Sequence, residues 1–427
     1  MTQVILKWFK QTELWIIPSD WDIHELETHL KIKWRIWWKW LKKSEYLDKW
    51  FAIINGLNLV NWEVTWHNVW RIPKDRYDES PEIMLKDNDI LMSKDWTIWK
   101  LWYIKKLPEA ATVASWIFVI RNKSNLLNQD YLYYYFKSPY FKQLVNSRIE
   151  WAVIPHLYQR DLNKLQIPLP DNQLEQKTIA EILSSLDDKI KLLEKQNKTL
   201  ENIGQAIFKS WFVDFEGFKN DLVESEMGMI PRGWDIGKLK DVSIIQNGYA
   251  FKSWDYVNEW NIIIRTKNFS DSWYVEMKGL VYLNDIKANE YKKFRFELFD
   301  FLLVMVWASI WKNVIITQIN IPSLQNQNMW NFKPLNECDR FYNIFAIKQL
   351  IKQNIWAVSW SARDFFRKDQ FYNFDIVIPS KDILSKFDNI VRPNYEKISL
   401  NLLQINNFSN LRDSLLPRLM NGKVRIK

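Results

Sequence analysis

Ile17-Pro18-Ser19-Asp20-Trp21-Asp22-Ile23 returns as Ile230-Pro231-Arg232-Gly233-Trp234-Asp235-Ile236, and both copies run on to a leucine, Leu26 and Leu239. Later features repeat in the same order. Thr97-Ile98-Trp99-Lys100 answers Ser309-Ile310-Trp311-Lys312, and Trp151-Ala152-Val153 answers Trp356-Ala357-Val358. Each copy closes alike, Leu165-Gln166-Ile167-Pro168-Leu169-Pro170 matching Phe374-Asp375-Ile376-Val377-Ile378-Pro379, with a helix-patterned stretch after it. The repeat is far longer than the roughly 20 to 50 residues of solenoid units, so it describes two globular modules, each trailed by a long helix. A chain of this internal two-fold character suits a target that itself has two separated parts. The expected fold class is α/β in the α+β sense. Repeated domains at 1–172 and 214–380 are separated by two long helices, at 173–213 and 381–427, that pack antiparallel as a coiled coil.

The helical stretches carry the clearest periodicity. One seam runs Ile179, Leu183, Leu186, Ile190, Leu193, Asn197, Leu200, Gly204, Ile207, Trp211, in alternating steps of four and three, which is a heptad stripe. Off it lie Asp187, Asp188, Lys189, Lys191, Glu194, Lys195, Lys198 and Glu201, the expected solvated faces. The second stretch keeps the phase through Phe387, Val391, Ile398, Ile405, Phe408, Leu415 and Leu419, interrupted by Asn394, Asn401 and Arg412. Asn197 either fixes the register of the seam or is a tolerated polar residue at a gap.

Composition bounds the partners. The net charge of +9 leans toward a polyanion, as it also does in many proteins that bind none. A single cysteine, Cys338, excludes an intramolecular disulfide, and the histidines at 24, 29, 67 and 156 lack zinc-ligand spacing. With no apolar run long enough for a membrane span or a signal-peptide core, a cytoplasmic location without membrane association is expected.

Tryptophan outnumbers glycine by 26 to 9, although glycine alone usually makes up about 7% of a chain. Trp also stands where turn chemistry requires glycine. Lys33-Trp34-Arg35-Ile36-Trp37-Trp38-Lys39-Trp40-Leu41 makes no sense as a strand and reads as a basic, glycine-rich loop if its tryptophans are glycine. Asp95-Trp96-Thr97 and Ser359-Trp360-Ser361 follow the same pattern. The hypothesis is that many of these codons are stop-type codons read as glycine in the source organism. A truly Trp-rich chain using indoles for base stacking would not also be depleted of glycine. Trp34, Trp38, Trp96 and Trp360 are therefore expected in exposed loops or at positive φ, whereas Trp21, Trp211 and Trp234 sit in apolar context and read as genuine. Trp330 is left open.

At this point the chain resembles, along essentially its whole length, the DNA-specificity subunit of type I restriction-modification systems. The likeness is carried by Gln11-Thr12-Glu13-Leu14-Trp15-Ile16-Ile17-Pro18, by Asp20-Trp21 and by Ile167-Pro168-Leu169-Pro170. Further along it is carried by Ile207-Phe208-Lys209-Ser210-Trp211-Phe212-Val213-Asp214-Phe215, by Ser361-Ala362-Arg363-Asp364-Phe365-Phe366-Arg367-Lys368 and by Leu415-Leu416-Pro417-Arg418-Leu419-Met420-Asn421-Gly422. The family's pattern has glycine at Trp15, Trp96, Trp99, Trp307, Trp311 and Trp360. The resemblance implies two target-recognition domains, each reading half of a bipartite double-stranded DNA site. It also implies helices that separate them and dock two modification (methyltransferase) subunits, with restriction-translocase subunits in the complex. No cofactor is expected in this chain; S-adenosylmethionine, ATP and Mg2+ belong to the partners.

Candidate DNA contacts in the first copy are Lys31, Lys33, Arg35 and Lys39 beside the first loop, and Ser93, Lys94, Thr97 and Lys100 around a second turn. In the second copy they are Asn247, Tyr249, Lys252, Arg265, Lys267, Ser309, Lys312 and the amide run Gln325-Asn326-Gln327-Asn328. Lysine and arginine hold phosphates, while amides can pair bidentately with adenine edges.

Catalytic readings do poorly. With glycine restored, Trp307-Ala308-Ser309-Ile310-Trp311 would spell a hydrolase elbow, but no histidine follows it. Lys39 and Lys100 are followed by Trp40 and Leu101, so there is no Walker loop. No Pro-Pro pair serves an adenine methyltransferase, and Asp285 with Glu290-Tyr291-Lys292 only faintly suggests a nuclease's metal-binding carboxylates. The expectation is a non-catalytic subunit with no metal. The alternatives are a specificity subunit of a methylation-only complex, a coiled-coil structural or attachment protein, and a self-contained methyltransferase.

Overall fold

The computed structural model describes residues 8–12, 16–35, 41–60, 63–93, 100–147, 159–305, 311–358 and 367–426. The chain forms two compact units, residues 1–188 with 408–427, and residues 189–407.

In the first unit the strands are β1 (Trp21–Glu25), β2 (Leu30–Lys33), β3 (Phe51–Ile54), β4 (Trp70–Ile72), β5 (Asp89–Ser93), β6 (Leu101–Ile104), β7 (Ala111–Val113), β8 (Ile117–Asn122) and β9 (Gln166–Pro170). A four-stranded sheet runs β6-β5-β8-β2, a three-stranded one β7-β3-β4, and β9 pairs with β1. Strand periodicity explains the layering, because successive side chains point to opposite faces. Phe118 and Ile120 of β8 enter one core, whereas Ile117 and Val119 enter the other. The first core closes on the helices α1 (Gln129–Lys137) and α2 (Pro139–Asn146) and on Ile179, Leu183, Leu416 and Leu419. The second fills the space against Ala52, Ile54 and Val113 of the smaller sheet.

The second unit repeats this plan. Its strands are β10 (Asp235–Lys238), β11 (Ser243–Asn247), β12 (Asn261–Ile264), β13 (Val281–Leu283), β14 (Phe301–Val304), β15 (Asn313–Ile315), β16 (Ser323–Gln325), β17 (Met329–Pro334) and β18 (Asp375–Ile378). The order β11-β17-β14-β15 reproduces β2-β8-β5-β6, and β10 pairs with β18 as β1 pairs with β9. Both small sheets contain one parallel pair, β3 with β7 and β12 with β16. Phe301 and Leu303 enter one core while Leu302 and Val304 enter the other. The sequence repeat is thus a repeat of topology and register.

The long helices are α3 (Gln173–Phe212) and α5 (Lys381–Met420), each of 40 residues. In the second unit, where the 19-residue helix α4 (Arg340–Val358) also lies, α3 and α5 run antiparallel. Asn401 Nδ2 donates to Asn197 Oδ1 at 2.8 Å and to Gln196 Oε1 at 2.9 Å, and an added Cβ on Gly204 would meet Phe345, Tyr395 and Val391. Asn197 accepts from Asn401 across the seam, so it is a paired polar group in an apolar stripe, the arrangement that fixes register, while Asn401 Oδ1 is buried without a hydrogen-bond partner among the described residues. Seam residues Leu183, Ile190, Leu193, Asn197 and Ile398 are buried, and Leu186, Leu200, Ile207, Ile405 and Phe408 are half-buried.

Two charges expected on solvated faces are not there. Asp187 is largely enclosed in the first unit, where it accepts from Tyr134 Oη at 2.9 Å, Lys137 Nζ at 3.0 Å and Arg412 Nη1 at 2.7 Å. Burial opposes its ionisation, but Lys137 and Arg412 together hold its carboxyl below the usual carboxylate range. Glu201 is shifted up by burial despite the opposing pull of Lys348. Asp187→Asn removes a charged acceptor shared by Tyr134, Lys137 and Arg412, the last of which keeps Asp413, so it is expected to cost about 1.5 to 3 kcal/mol in chemical denaturation. Because the folded pKa is depressed, this stability is present above the unfolded carboxylate value and lost as pH falls through the folded one. A variant whose acid unfolding matches wild type would remove Asp187 from this role.

The backbone bears on the tryptophans. Of the ten non-glycine residues at positive φ among the described residues, five are Trp50, Trp116, Trp260, Trp273 and Trp311, at 90°, 75°, 103°, 68° and 80°. A bulky residue there is a steric outlier. Trp116 immediately precedes β8, and the corresponding residue before β17 is Asn328 at 71°, a residue type that tolerates this conformation. Trp34 departs from expectation: it is half-buried with its ring edge-on to Phe118 at 5.6 Å. Trp38, Trp96 and Trp360 lie outside the described residues. Trp330, left open by sequence, is buried in β17 at the place Phe118 holds in β8, and Trp21 and Trp234 are buried too.

Candidate nucleic-acid interface

Strand register decides which loops meet. In the second unit Asn247 of β11 lies opposite Trp330 of β17, and Val304 of β14 opposite Met329. The segments after β11, after β14 and before β17 therefore share one end of the sheet. The small sheet contributes there as well: Ile264 at the end of β12 lies beside Gln325 at the end of β16, and Asn326 N donates to Ile264 O at 3.2 Å. Loops 247–252, 265–268 and 325–328 thus come together, although more than seventy residues separate the first from the last. The first unit has the same register, which brings the ends of β2, β3 and β5 to the starts of β6 and β8.

The candidates divide on this frame. Lys31 and Lys33 are exposed on edge strand β2, while Leu30 and Ile32 between them face the core. Lys100, Asn247, Lys252, Lys267, Gln327 and Asn328 are exposed at the loop ends. Tyr249 is half-buried, its hydroxyl 3.2 Å from that of Tyr291. This hydroxyl pair pushes the Tyr291 phenol up to about 12. Arg265 donates to Gly279 O at 2.7 Å, and Lys312 pairs with Asp271 at 2.8 Å, so both are partly committed. Lys39, Lys94, Thr97 and Ser309 lie outside the described residues.

Four candidates are corrected by burial. Arg35 is 1% exposed, its Nε donating to Val113 O at 3.1 Å and its Nη2 to Thr112 Oγ1 at 3.4 Å. Burial pushes its guanidinium below the ordinary arginine range, and its bonds tie the chain just past β2 to β7. Ser93 accepts from Lys100 N at 3.1 Å and closes the β5–β6 connection. Gln325 is wholly buried in internal hydrogen bonds, and Asn326 is nearly so.

As DNA contacts Lys292 and Lys293 were missed by sequence reasoning, which read Lys292 only with Glu290 and Tyr291 as a faint nuclease motif. They are exposed, and Gln246 Nε2, which also reaches Gln325 Oε1, donates to Lys293 O at 3.0 Å. Tyr249, Phe251, Tyr291 and Phe294 cluster beside them in tilted and edge-on contacts with ring centroids 4.4 to 6.5 Å apart. Only the Lys-Lys-Phe run hinted at this, and its place beside the amide run is tertiary. Asp285, suspected as a metal ligand, instead accepts from Asn261 Nδ2 at 2.8 Å, and among the described residues no cluster of three potential ligands forms. None of the described helices is long and apolar enough to cross a membrane.

Comparison with known proteins bears on the same residues. The family model of the type I restriction modification DNA specificity domain matches residues 39–202. The type I restriction enzyme MjaIX specificity subunit of Methanocaldococcus jannaschii is 26% identical over 429 residues, spanning 98% of this chain and 97% of that protein. The HindI specificity subunit of Haemophilus influenzae is 24% identical over 379 residues, 73% of this chain and 81% of its own. In fold, the crystal structure of a type I restriction-modification S subunit from M. genitalium superposes with a TM-score of 0.61 at 14% identity, covering 96% of this chain and 97% of that one. Over nearly its whole length the chain is thus similar to a protein named as a type I restriction enzyme specificity subunit, and residues 39–202 match the model of the DNA specificity domain.

Proposed function

We propose, from this similarity and from the paired loop clusters, that the chain recognises a bipartite double-stranded DNA site, one half per recognition domain. The recognition domains are taken as 1–172 and 214–380, and the helices at 173–213 and 381–427 set their separation and dock two modification subunits, with restriction-translocase subunits completing the complex. The observation that carries the reading is the repeated register, which in each unit brings the corresponding strand ends together at one end of the four-stranded sheet. Exposed lysines there supply phosphate contacts, and exposed amides can read base edges. The chemistry of methylation and cleavage lies with the partners, which would supply S-adenosylmethionine, ATP and Mg2+.

Salt dependence tests the phosphate contacts. Each one removed should lower the slope of log affinity against log salt by about 0.9. Changing Lys31, Lys33, Lys252 and Lys267 together to alanine should therefore flatten it by up to about 3.6 while leaving the preferred DNA word unchanged. Methylation mapping in cells carrying the chain and its modification partner reads the word directly. An unaltered slope would take these loops out of the interface, and absence of any preferred word would favour a structural or attachment role.

A further inference from the structure

The amide run Gln325–Asn328 divides into two scaffolding residues and two displayed ones. Gln325 Nε2 donates to Gln246 O and to Met329 O, each at 3.0 Å, and its Oε1 accepts from Gln246 Nε2 at 3.1 Å. Every atom of that carboxamide is committed inside the unit. Asn326 is held by its backbone, and Gly248 presses on it so closely that an added Cβ would lie 1.8 Å from Asn326 O. Only glycine at 248 permits this approach. Beyond it Asn328 turns left-handed at φ 71°, and its carbonyl accepts from Met305 N at 3.3 Å. The turn is thus fixed at both ends, while the carboxamides of Gln327 and Asn328 are exposed and have no partner among the described residues.

We propose that Gln327 and Asn328 are the base-reading element of the second unit, taking the major-groove edge of an A·T pair. A carboxamide carries a donor and an acceptor side by side, which matches the N6 donor and N7 acceptor of adenine. A lysine at the same place could only neutralise a phosphate. A rigid mounting is what selective readout needs, because a loosely held fork pairs with either partner. The corresponding turn of the first unit, Ala114-Ser115-Trp116, has no carboxamide, so this reader belongs to one half-site only. The proposal rests on the DNA-recognition reading above.

The test uses the full chain with its modification subunits on a duplex library randomised across both half-sites, with methylation as the readout. Gln327→Ala removes one fork, and Asn328→Gly removes the other while keeping a residue at ease with positive φ. Discrimination at one or two adjacent pairs of a single half-site should fall about 5- to 150-fold. The other half-site and the salt slope should not move. Folded variants that select the original word with unchanged ratios overturn the proposal, as does a lowered salt slope with the word intact. A wild-type chain with no preferred word overturns the DNA-recognition reading itself, and this proposal with it.

Discussion

Replacing Trp50, Trp116 and Trp260 by glycine raises the unfolding temperature, whereas the same replacement at Trp21, Trp234 or Trp330 lowers it severely. At the first three positions φ is 90°, 75° and 103°, and the indoles are 65%, 44% and 61% exposed. Releasing an L-residue from that region recovers about 1 to 2 kcal/mol, and glycine returns about 0.4 to 1 kcal/mol through its freer unfolded chain. The net gain is about 0.5 to 1 kcal/mol per site, which three sites turn into a shift of several degrees. At Trp330, which is 1% exposed and packed edge-on to Phe332 and Phe371, truncation costs about 3 to 5 kcal/mol, and glycine in a strand adds about 0.5 to 1 kcal/mol. Calorimetry on single and triple variants separates the two classes by sign. The gene decides the cause: stop-type triplets are expected at 50, 116 and 260 and UGG at 21, 234 and 330, and ordinary UGG throughout would end the idea of a reassigned codon. Trp273 offers an independent check. Its ring lies 3.1 Å from Lys348 Nζ, whose pKa burial lowers to about 7. Trp273→Gly should let that ammonium hydrate and titrate higher.

The two-module plan was legible because the repeat fixes order, and order fixes strand pairing: the copies of Ile17–Ile23 and Ile230–Ile236 end up flanking equivalent strands, β1 and β10. The heptad seam was legible up to Gly204, where Leu183, Ile190 and Leu193 are buried along it, but beyond that burial passes to Phe208 and Phe212, one residue off the predicted stripe. Asp187 was misread because periodicity sees only α3, while its partners Lys137 and Arg412 come from elsewhere in the chain. Arg35 and Gln325 were misread for a related reason. Residue type marks a side chain able to hydrogen-bond outward, but only tertiary packing shows that the bonds are already made to Val113 and Met329. Lys292 and Lys293 went unnoticed as DNA contacts because the bond from Gln246 to Lys293 that brings them beside the amide run spans 47 residues.

Lengthening the paired helices by one heptad in each should keep both DNA half-words and widen the gap between them. The insertion has to be matched, since α3 and α5 run antiparallel where Asn197 meets Asn401. Added residues in one helix alone would shift its seam past the other and strand that asparagine pair in apolar surroundings, at about 1 to 3 kcal/mol for each unsatisfied group. A heptad between Leu193 and Asn197, answered by one between Asn401 and Ile405, preserves the phase of both stripes. It extends the pair by about 10 Å, up to about three base pairs at roughly 3.4 Å each. Each half-word should survive, because no loop at the sheet ends is touched. A matched insertion of stutter length should act differently, because it breaks the seven-residue phase and rotates the helix beyond the insertion. Methylation mapping should then show reduced activity or another gap. If the matched heptad variant is folded and active yet still demands the original gap, these helices do not measure the distance between half-sites, and the repeat answers to some other constraint.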